Sequence, residues 1–249
     1  MNLSAVPPQT PFGPILRLPL RLVPSHARVP VMQGPLRGKL WIVGSSNHGC
    51  WLGSYEYAKQ KAFAAAVRPG DSVYDLGANV GLYSLLASAL VGPAGSVFSF
   101  EPAPRNLRFL RMHLKLNHVG NCFVWDAAVG RFEGTAYFDP GPNPLEGRLT
   151  PKPYGALEVR TVSLDRLVAS GALPPPNLIK CDIEGAEYDA LQGASEILAT
   201  HRPTIFLSTH GPELHRACCR LLTGLRYRLT PLDALPLSRT TEVIATRHA

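Results

Sequence analysis

The stretch Ser72–Glu101, S-V-Y-D-L-G-A-N-V-G-L-Y-S-L-L-A-S-A-L-V-G-P-A-G-S-V-F-S-F-E, constrains this chain more than any other. A short apolar run, Val73 to Leu76, carries Asp75 and breaks into Gly77-Ala78-Asn79-Val80-Gly81. An apolar helical pattern runs from Leu82 to Leu90, the loop Gly92-Pro93-Ala94-Gly95 follows, and a second apolar run, Val97 to Phe100, ends on Glu101. Strand, glycine turn, helix and strand open a parallel α/β sheet whose first turn binds a nucleotide-like ligand. Glycines let the backbone pass close beneath that ligand. Ribose hydroxyls call for an acceptor at the next strand tip, and Glu101 stands there, about 20 residues beyond Gly81.

Charge narrows the ligand. A dinucleotide site lays a diphosphate on the helix N-terminus through G-x-G-x-x-G. Here Asn79 replaces the second glycine, Leu82 stands at the third, and Asp75 ends the strand. A carboxylate there repels a diphosphate and attracts a ligand bearing an ammonium and a sulfonium. S-adenosyl-L-methionine (SAM) has both and no phosphate. The expected cofactor contacts are Asp75, Gly77, Ala78, Asn79, Gly81 and Tyr83 around the turn, with Glu101 and Pro102 at the second strand tip. Asp126, Ala127 and Ala128 at the third tip lie beside the adenine, where Asp126 can accept from its exocyclic amine.

A length of 249 residues suits one α/β domain with an appendage. Five cysteines without C-x-x-C spacing, and no secretory pattern at the N-terminus, lead us to expect reduced thiols in a cytoplasmic protein. No apolar run reaches the ~20 residues of a membrane span. The net charge of +7 invites a nucleic-acid reading. Yet the most concentrated basic stretch, Arg105, Arg108, Arg111 and Lys115, falls on one helical face opposite Leu107, Leu110 and Leu114, the pattern of a solvated face.

Residues 1–34 form a proline-rich N-terminal arm, in which Leu16 to Leu22 alternate as in an edge strand, and residues 35–249 form the main domain. Two short strands are expected within Val29 to Val43, then a loop from Gly44 to Cys50. A helix opens at Glu56, and Tyr55 and Glu56 are placed to close the cofactor or substrate site. After a helix ending near Asn117, the third strand is Phe123 to Asp126. Tyr137 to Asp139 and Leu157 to Val162 read as an added hairpin, and Ser163 caps a short helix. The strand Leu178 to Cys181 precedes a helix from Tyr188 to about Leu198. The strand Pro203 to Leu207, a helix from Glu213 to Leu222 and two closing strands follow. The whole reads as a Rossmann-like α/β domain, a seven-stranded sheet whose last strand runs antiparallel.

Residues two apart on a strand share a face, so Lys180 and Asp182 point together. The strand leading to His210 should lie alongside, gathering Lys180, Asp182, Glu184 and His210 at the carboxyl edge of the sheet, where open α/β sheets keep their ligands. Methyl transfer to a hydroxyl needs the oxygen held in line with the methyl and a general base within reach. Asp182 or His210 can be that base, with Lys180 setting the local charge.

The run Asn177 to Glu187, N-L-I-K-C-D-I-E-G-A-E, followed by Leu191-Gln192-Gly193-Ala194, resembles the FkbM-type SAM-dependent methyltransferases. So do Trp51 to Glu56, Asp75 to Gly81, Phe100-Glu101-Pro102, Ala128-Val129-Gly130 and Ser163-Leu164-Asp165, a likeness spanning roughly residues 35 to 215. The resemblance implies a class I methyltransferase fold and O-methylation of a hydroxyl on a sugar, glycan, polyketide or other small molecule, without a required metal. One departure is Ser208-Thr209-His210, where many members carry an acidic residue shortly before a histidine. The competing readings are an RNA methyltransferase, favoured only by the basic charge, and a non-catalytic SAM-fold binding protein. A dinucleotide oxidoreductase is disfavoured by Asp75 and Asn79.

Overall fold

The computed structural model describes residues 20, 22–141, 147–151 and 156–247. Apart from Leu20 and Leu22, the expected edge strand at Leu16 to Leu22 lies outside them, as does part of the loop within the added hairpin. Among the described residues the strands are β1 (Arg28–Pro30), β2 (Leu40–Ile42), β3 (Ser72–Leu76), β4 (Ser96–Phe100), β5 (Cys122–Trp125), β6 (Ala128–Val129), β7 (Gly134–Asp139), β8 (Arg148–Thr150), β9 (Leu157–Val162), β10 (Leu178–Cys181), β11 (Thr204–Ser208), β12 (Tyr227–Pro231) and β13 (Glu242–Arg247). The helices are α1 (His48–Leu52), α2 (Tyr57–Ala66), α3 (Leu82–Val91), α4 (Pro104–Leu116), α5 (Leu164–Ala169), α6 (Glu187–Gln192), α7 (Ser195–Thr200) and α8 (Pro212–Gly224). None is long and apolar enough to cross a membrane.

Seven strands form the central sheet in the order β12-β13-β11-β10-β3-β4-β5, with β13 antiparallel to both its neighbours. Every residue of β3 and β10 is buried, as expected of parallel strands covered on both faces. Their alternation splits the core. Tyr74, Ile179 and Ile205 face a cluster with α5 to α8, whereas Val73, Leu178 and Phe206 face the cluster containing α2, α3 and α4. The chain runs outward from β3 through β4 to β5 on one side and reaches β10 and β11 on the other. The order reverses between β3 and β10, the place where such sheets bind ligands.

β1 and β2 form an antiparallel pair. The outer edge of β2 is satisfied by side chains of α4 and of the residue that caps its C-terminus: Leu40 N donates to Asn117 Oδ1 at 2.8 Å and Ile42 N to His113 Nε2 at 3.1 Å. The imidazole of His113 is fully buried, donates from Nδ1 to Val80 O at 2.7 Å and stacks on Trp41. Burial holds it neutral, lowering its pKa to about 4 against the carbonyl of Val80.

Three local expectations need correction. The segment expected to be a loop from Gly44 to Cys50 contains a 3₁₀ turn, Val43–Ser45, and the start of α1. The expected hairpin is part of a four-stranded sheet, β6-β9-β7-β8. The single helix expected over Tyr188 to Leu198 is two, α6 and α7, broken at Gly193. There the backbone packs so closely on Gly130 that a Cβ would fall 2.1 Å from its carbonyl oxygen. The freed Gly193 carbonyl accepts from Asp165 N and Ser163 Oγ, and the Asp165 carboxylate caps α7 through Glu196 N and Ile197 N. Ser163 caps α5 as expected.

Candidate active site

The β3–α3 turn is shaped by contacts to its neighbours. Gly77, at φ +75°, stands so close to β10 that a Cβ would lie 2.0 Å from Asp182 O. Asn79 also takes a left-handed conformation, one its residue type tolerates, and its N–H donates to Glu101 Oε2 at 2.8 Å. The other carboxylate oxygen of Glu101 accepts from Ala103 N at 2.8 Å. Glu101 therefore ties the turn to the tip of β4. Burial raises its pKa, opposed by these N–H donors.

A cleft of about 960 Å³, open to solvent, lies over this turn. Its walls include Glu56, Gly77, Ala78, Asn79, Tyr83, Glu101, Pro102, Ala127 and Ala128, all expected from the sequence. Glu56, in a left-handed conformation before α2, accepts a hydrogen bond from the Tyr83 hydroxyl at 2.8 Å. Tyr55 and Cys50 close the same side.

Three expected cofactor contacts lie elsewhere. Asp75 is 1% exposed and sits beneath the floor, accepting from Ser84 Oγ at 2.7 Å and facing Lys180 Nζ at 3.6 Å. The Lys180 ammonium comes between it and the cleft, donating to Gly77 O at 3.0 Å. Asp126 falls beyond the end of β5, where it pairs with Arg111 on the surface. Gly81 packs under the turn against Leu110, whose Cδ1 would lie 2.6 Å from a Cβ. The remaining basic residues of α4, Arg105, Arg108 and Lys115, are solvent-exposed as expected.

The sheet edge brings Lys180, Asp182, Glu184 and His210 together; the first three line the cleft and His210 stands beside them. His210 Nε2 lies 3.2 Å from Glu184 Oε2 and 3.8 Å from Asp182 Oδ1. Its Nδ1 is 2.8 Å from Glu187 Oε1, an atom that also accepts from Gly185 N and Ile183 N. The Glu187 hydrogen bond is the main reason the His210 pKa is raised, against partial burial and with help from Glu184 and Asp182. Burial pushes the Asp182 carboxyl up, but Lys180, Lys59 and His210 outweigh it and bring the group down to about 2.

Sequence reasoning missed Lys59 and Glu242. The Lys59 ammonium, carried by α2, lies 3.4 Å from Asp182 Oδ2, 2.9 Å from Glu242 Oε2 and 3.7 Å from Glu56 Oε2, and donates to Ser208 Oγ. Burial lowers its pKa, yet the three carboxylates prevail and raise it. It joins the segment before the first core strand to the tips of β10, β11 and β13. Sequence reasoning also missed the contact of Glu187 with His210, because their spacing carries no signal. Asp182, Glu184 and His210 offer ligand atoms within 4.8 Å of one another, a donor set able to hold a divalent cation.

The residues present fit SAM. The turn and cleft wall carry no arginine to meet a diphosphate, the buried Glu101 carboxylate suits a diol, and the glycine turn leaves room for close approach. The sheet order, with its reversal at this cleft and its antiparallel β13, defines a class I SAM-dependent methyltransferase fold. The precorrin-6y C5,15-methyltransferase of Geobacter metallireducens GS-15 shares that fold, with a TM-score of 0.50 at 15% identity, covering 77% of this chain and 89% of that one. Residues 75–229 match the Methyltransferase FkbM domain, and the chain belongs to the FkbM-type SAM-dependent methyltransferase family.

The hexuronic acid methyltransferase AglP of Haloferax volcanii is 30% identical over 129 residues, 51% of this chain and 52% of the relative. The 31-O-demethyl-FK506 methyltransferase FkbM of Streptomyces tacrolimicus is 30% identical over 161 residues, 52% of this chain and 62% of the relative. The match thus spans less than two thirds of the length of either relative.

Proposed function

We propose that this chain transfers a methyl group from SAM to a hydroxyl of a sugar, glycan or other small molecule. The observation that supports this best is the opening of one cleft on both machineries. Glu101 and the glycine turn line it where a nucleoside would lie, and Asp182 and Glu184 line it too, with His210 beside them. SAM, when bound, supplies a methyl carbon made electrophilic by its sulfonium. The protein must present an oxygen to it and take up the proton.

His210 is the base in this reading. Glu187 fixes the Nδ1–H tautomer, leaving Nε2 to receive the hydroxyl proton, and the carboxylates around the ring raise its pKa and so strengthen it as a base. Asp182, held down at about 2, is too weak a base for an alcohol and instead orients the hydroxyl as an ionised acceptor. Glu101 receives the ribose hydroxyls. Lys180 and Lys59 hold the turn and the Asp182 carboxylate in place. The relatives' names, one for a hexuronic acid and one for 31-O-demethyl-FK506, support hydroxyl-bearing small molecules as acceptors. The described cysteines are free thiols, in keeping with a cytoplasmic setting.

S-adenosylhomocysteine should raise the melting temperature by mass action, whereas NAD should not, and Glu101→Ala should remove most of the shift. A shift with NAD and none with S-adenosylhomocysteine would overturn the cofactor assignment. Release of S-adenosylhomocysteine across a panel of hydroxylated sugars then tests the transfer itself.

A further inference from the structure

The methionine end of SAM carries an ammonium, and the acid expected to meet it cannot do so. Asp75 is 1% exposed, with the Lys180 ammonium between it and the cleft. The sheet order says where that ammonium must fall. Ala127 and Ala128 follow the tip of β5, Glu101 stands at the tip of β4 and the glycine turn leaves β3, three neighbouring strands in that order. Adenine, ribose and methionine follow one another in the cofactor. With adenine at the tip of β5 and the ribose hydroxyls on Glu101, the methionine end lies over the turn, beside the start of α3. Among the described residues the carboxylates of Glu56, Glu101, Asp182 and Glu184 line the cleft. Both oxygens of Glu101 accept main-chain N–H groups at the tip of β4. Asp182 and Glu184 stand at His210, beyond the tip of β10. Glu56 is the one hydrogen-bonded to the first turn of α3, where the Tyr83 hydroxyl donates to its Oε2 at 2.8 Å.

The backbone carries a second observation. Glu56 takes φ +47°, a left-handed conformation that a residue with a long side chain adopts only at a cost. Helix capping does not explain it, since the Glu56 side chain accepts from none of the N–H groups of α2. The carboxylate is turned instead to Tyr83 and the cleft wall, with 24% of the side chain exposed. Lys59, buried beside it, lies 3.7 Å away but is nearer to Asp182, at 3.4 Å, and to Glu242, at 2.9 Å. We propose that Glu56, rather than Asp75, receives the ammonium of the methionine end of SAM, so that the cleft requires a free amine on its cofactor. This rests on the SAM-dependent reading, with Glu101 as the ribose ligand, and deepens it. A carboxylate already fixed by Tyr83 loses little freedom on meeting an ammonium, and a hydrogen bond between two charged groups is among the strong ones.

The test is calorimetry on the purified protein at neutral pH with three ligands. They are S-adenosylhomocysteine, its deaminated analogue with hydrogen in place of the amine, and 5′-methylthioadenosine, which lacks the amino acid altogether. Wild type should bind S-adenosylhomocysteine about tenfold tighter than the deaminated analogue. Glu56→Gln should lower the affinity for S-adenosylhomocysteine by about tenfold and leave the deaminated analogue and 5′-methylthioadenosine within about twofold of wild type. Asp75→Asn, acting from beneath the floor, should weaken all three alike. A purely structural role for Glu56 would also move the three ligands together, and that result overturns the proposal. An amine preference erased by Asp75→Asn but kept in Glu56→Gln overturns it too. Wild type supplies a measurement that needs no variant to fold: equal binding of S-adenosylhomocysteine and its deaminated analogue sinks the proposal and leaves the SAM-dependent reading standing. Failure of wild type to bind any of the three ligands would sink both.

Discussion

Replacing Glu187 with glutamine separates the orientation of His210 from its charge. Glu187 is 0% exposed, and its Oε1 accepts from Gly185 N at 3.0 Å and from Ile183 N at 3.3 Å as well as meeting His210 Nδ1 at 2.8 Å. Glutamine keeps an oxygen for all three donors, so the ring should stay in place, but it removes the charge that chiefly stabilises the imidazolium. The base acts when neutral, so turnover declines as pH falls through the imidazole pKa. Because that pKa is raised above its ordinary 6.5, the acidic limb of the wild-type profile should lie above 6.5, and Glu187→Gln should move it to lower pH. On the plateau the weakened base should lower turnover by less than about tenfold, whereas His210→Gln should lower it by roughly 10²-fold or more. The assay is S-adenosylhomocysteine release against pH, with cofactor affinity measured alongside and expected to change little. Linkage gives a second readout. A folded-state pKa raised above the unfolded one stabilises most at low pH, and that contribution fades as pH rises through the folded value. A limb that stays put in Glu187→Gln, or a full plateau in His210→Gln, would refute the dyad.

Two further substitutions test the floor of the cleft. Asp182→Asn should destabilise the fold at neutral pH by about 2 kcal/mol, since the carboxyl falls from its ordinary 3.8 to about 2 on folding. That contribution is full above 3.8 and lost as pH drops toward 2, so denaturant midpoints of mutant and wild type should converge there. Gly77→Ala should cost more than about 2 kcal/mol, combining a left-handed residue with a Cβ 2.0 Å from a main-chain oxygen, and should also abolish the S-adenosylhomocysteine shift. A melting temperature within error of wild type would show that β3 and β10 can move apart.

The sheet and its ligand-binding end were legible because they rest on short-range rules. Leu178–Cys181 is an apolar run stopped by Asp182, and the structure returns it as β10 without a shift. Two-residue alternation then put Lys180 and Asp182 on one side, and their polar atoms lie 3.8 Å apart. The charge and strand-tip arguments misplaced Asp75 and Asp126, because neither registers what lies between a side chain and the cleft. For Asp75 that is the ammonium of Lys180, 105 positions further along the chain. Helix continuity over Gly193 failed for a related reason. The break is imposed by the Gly130 backbone and by Asp165, neither of which a helical pattern registers.

Lys59 shows where such reading stops. In the run Y-A-K-Q-K-A-F-A-A-A it looks like any lysine on a helix, and Lys61 two positions on is exposed. Only tertiary packing tells them apart, by bringing Lys59 to Asp182 across 123 residues of sequence and to Ser208 across 149. Burying an ammonium is costly unless carboxylates surround it. Once Lys59 is buried, Glu56, Asp182 and Glu242 must therefore converge on it, and their convergence stiffens the wall that faces the acceptor. The geometry that holds the reacting edge thus has its origin in one cation placed beneath the surface, which draws the carboxylates of three separate segments to it.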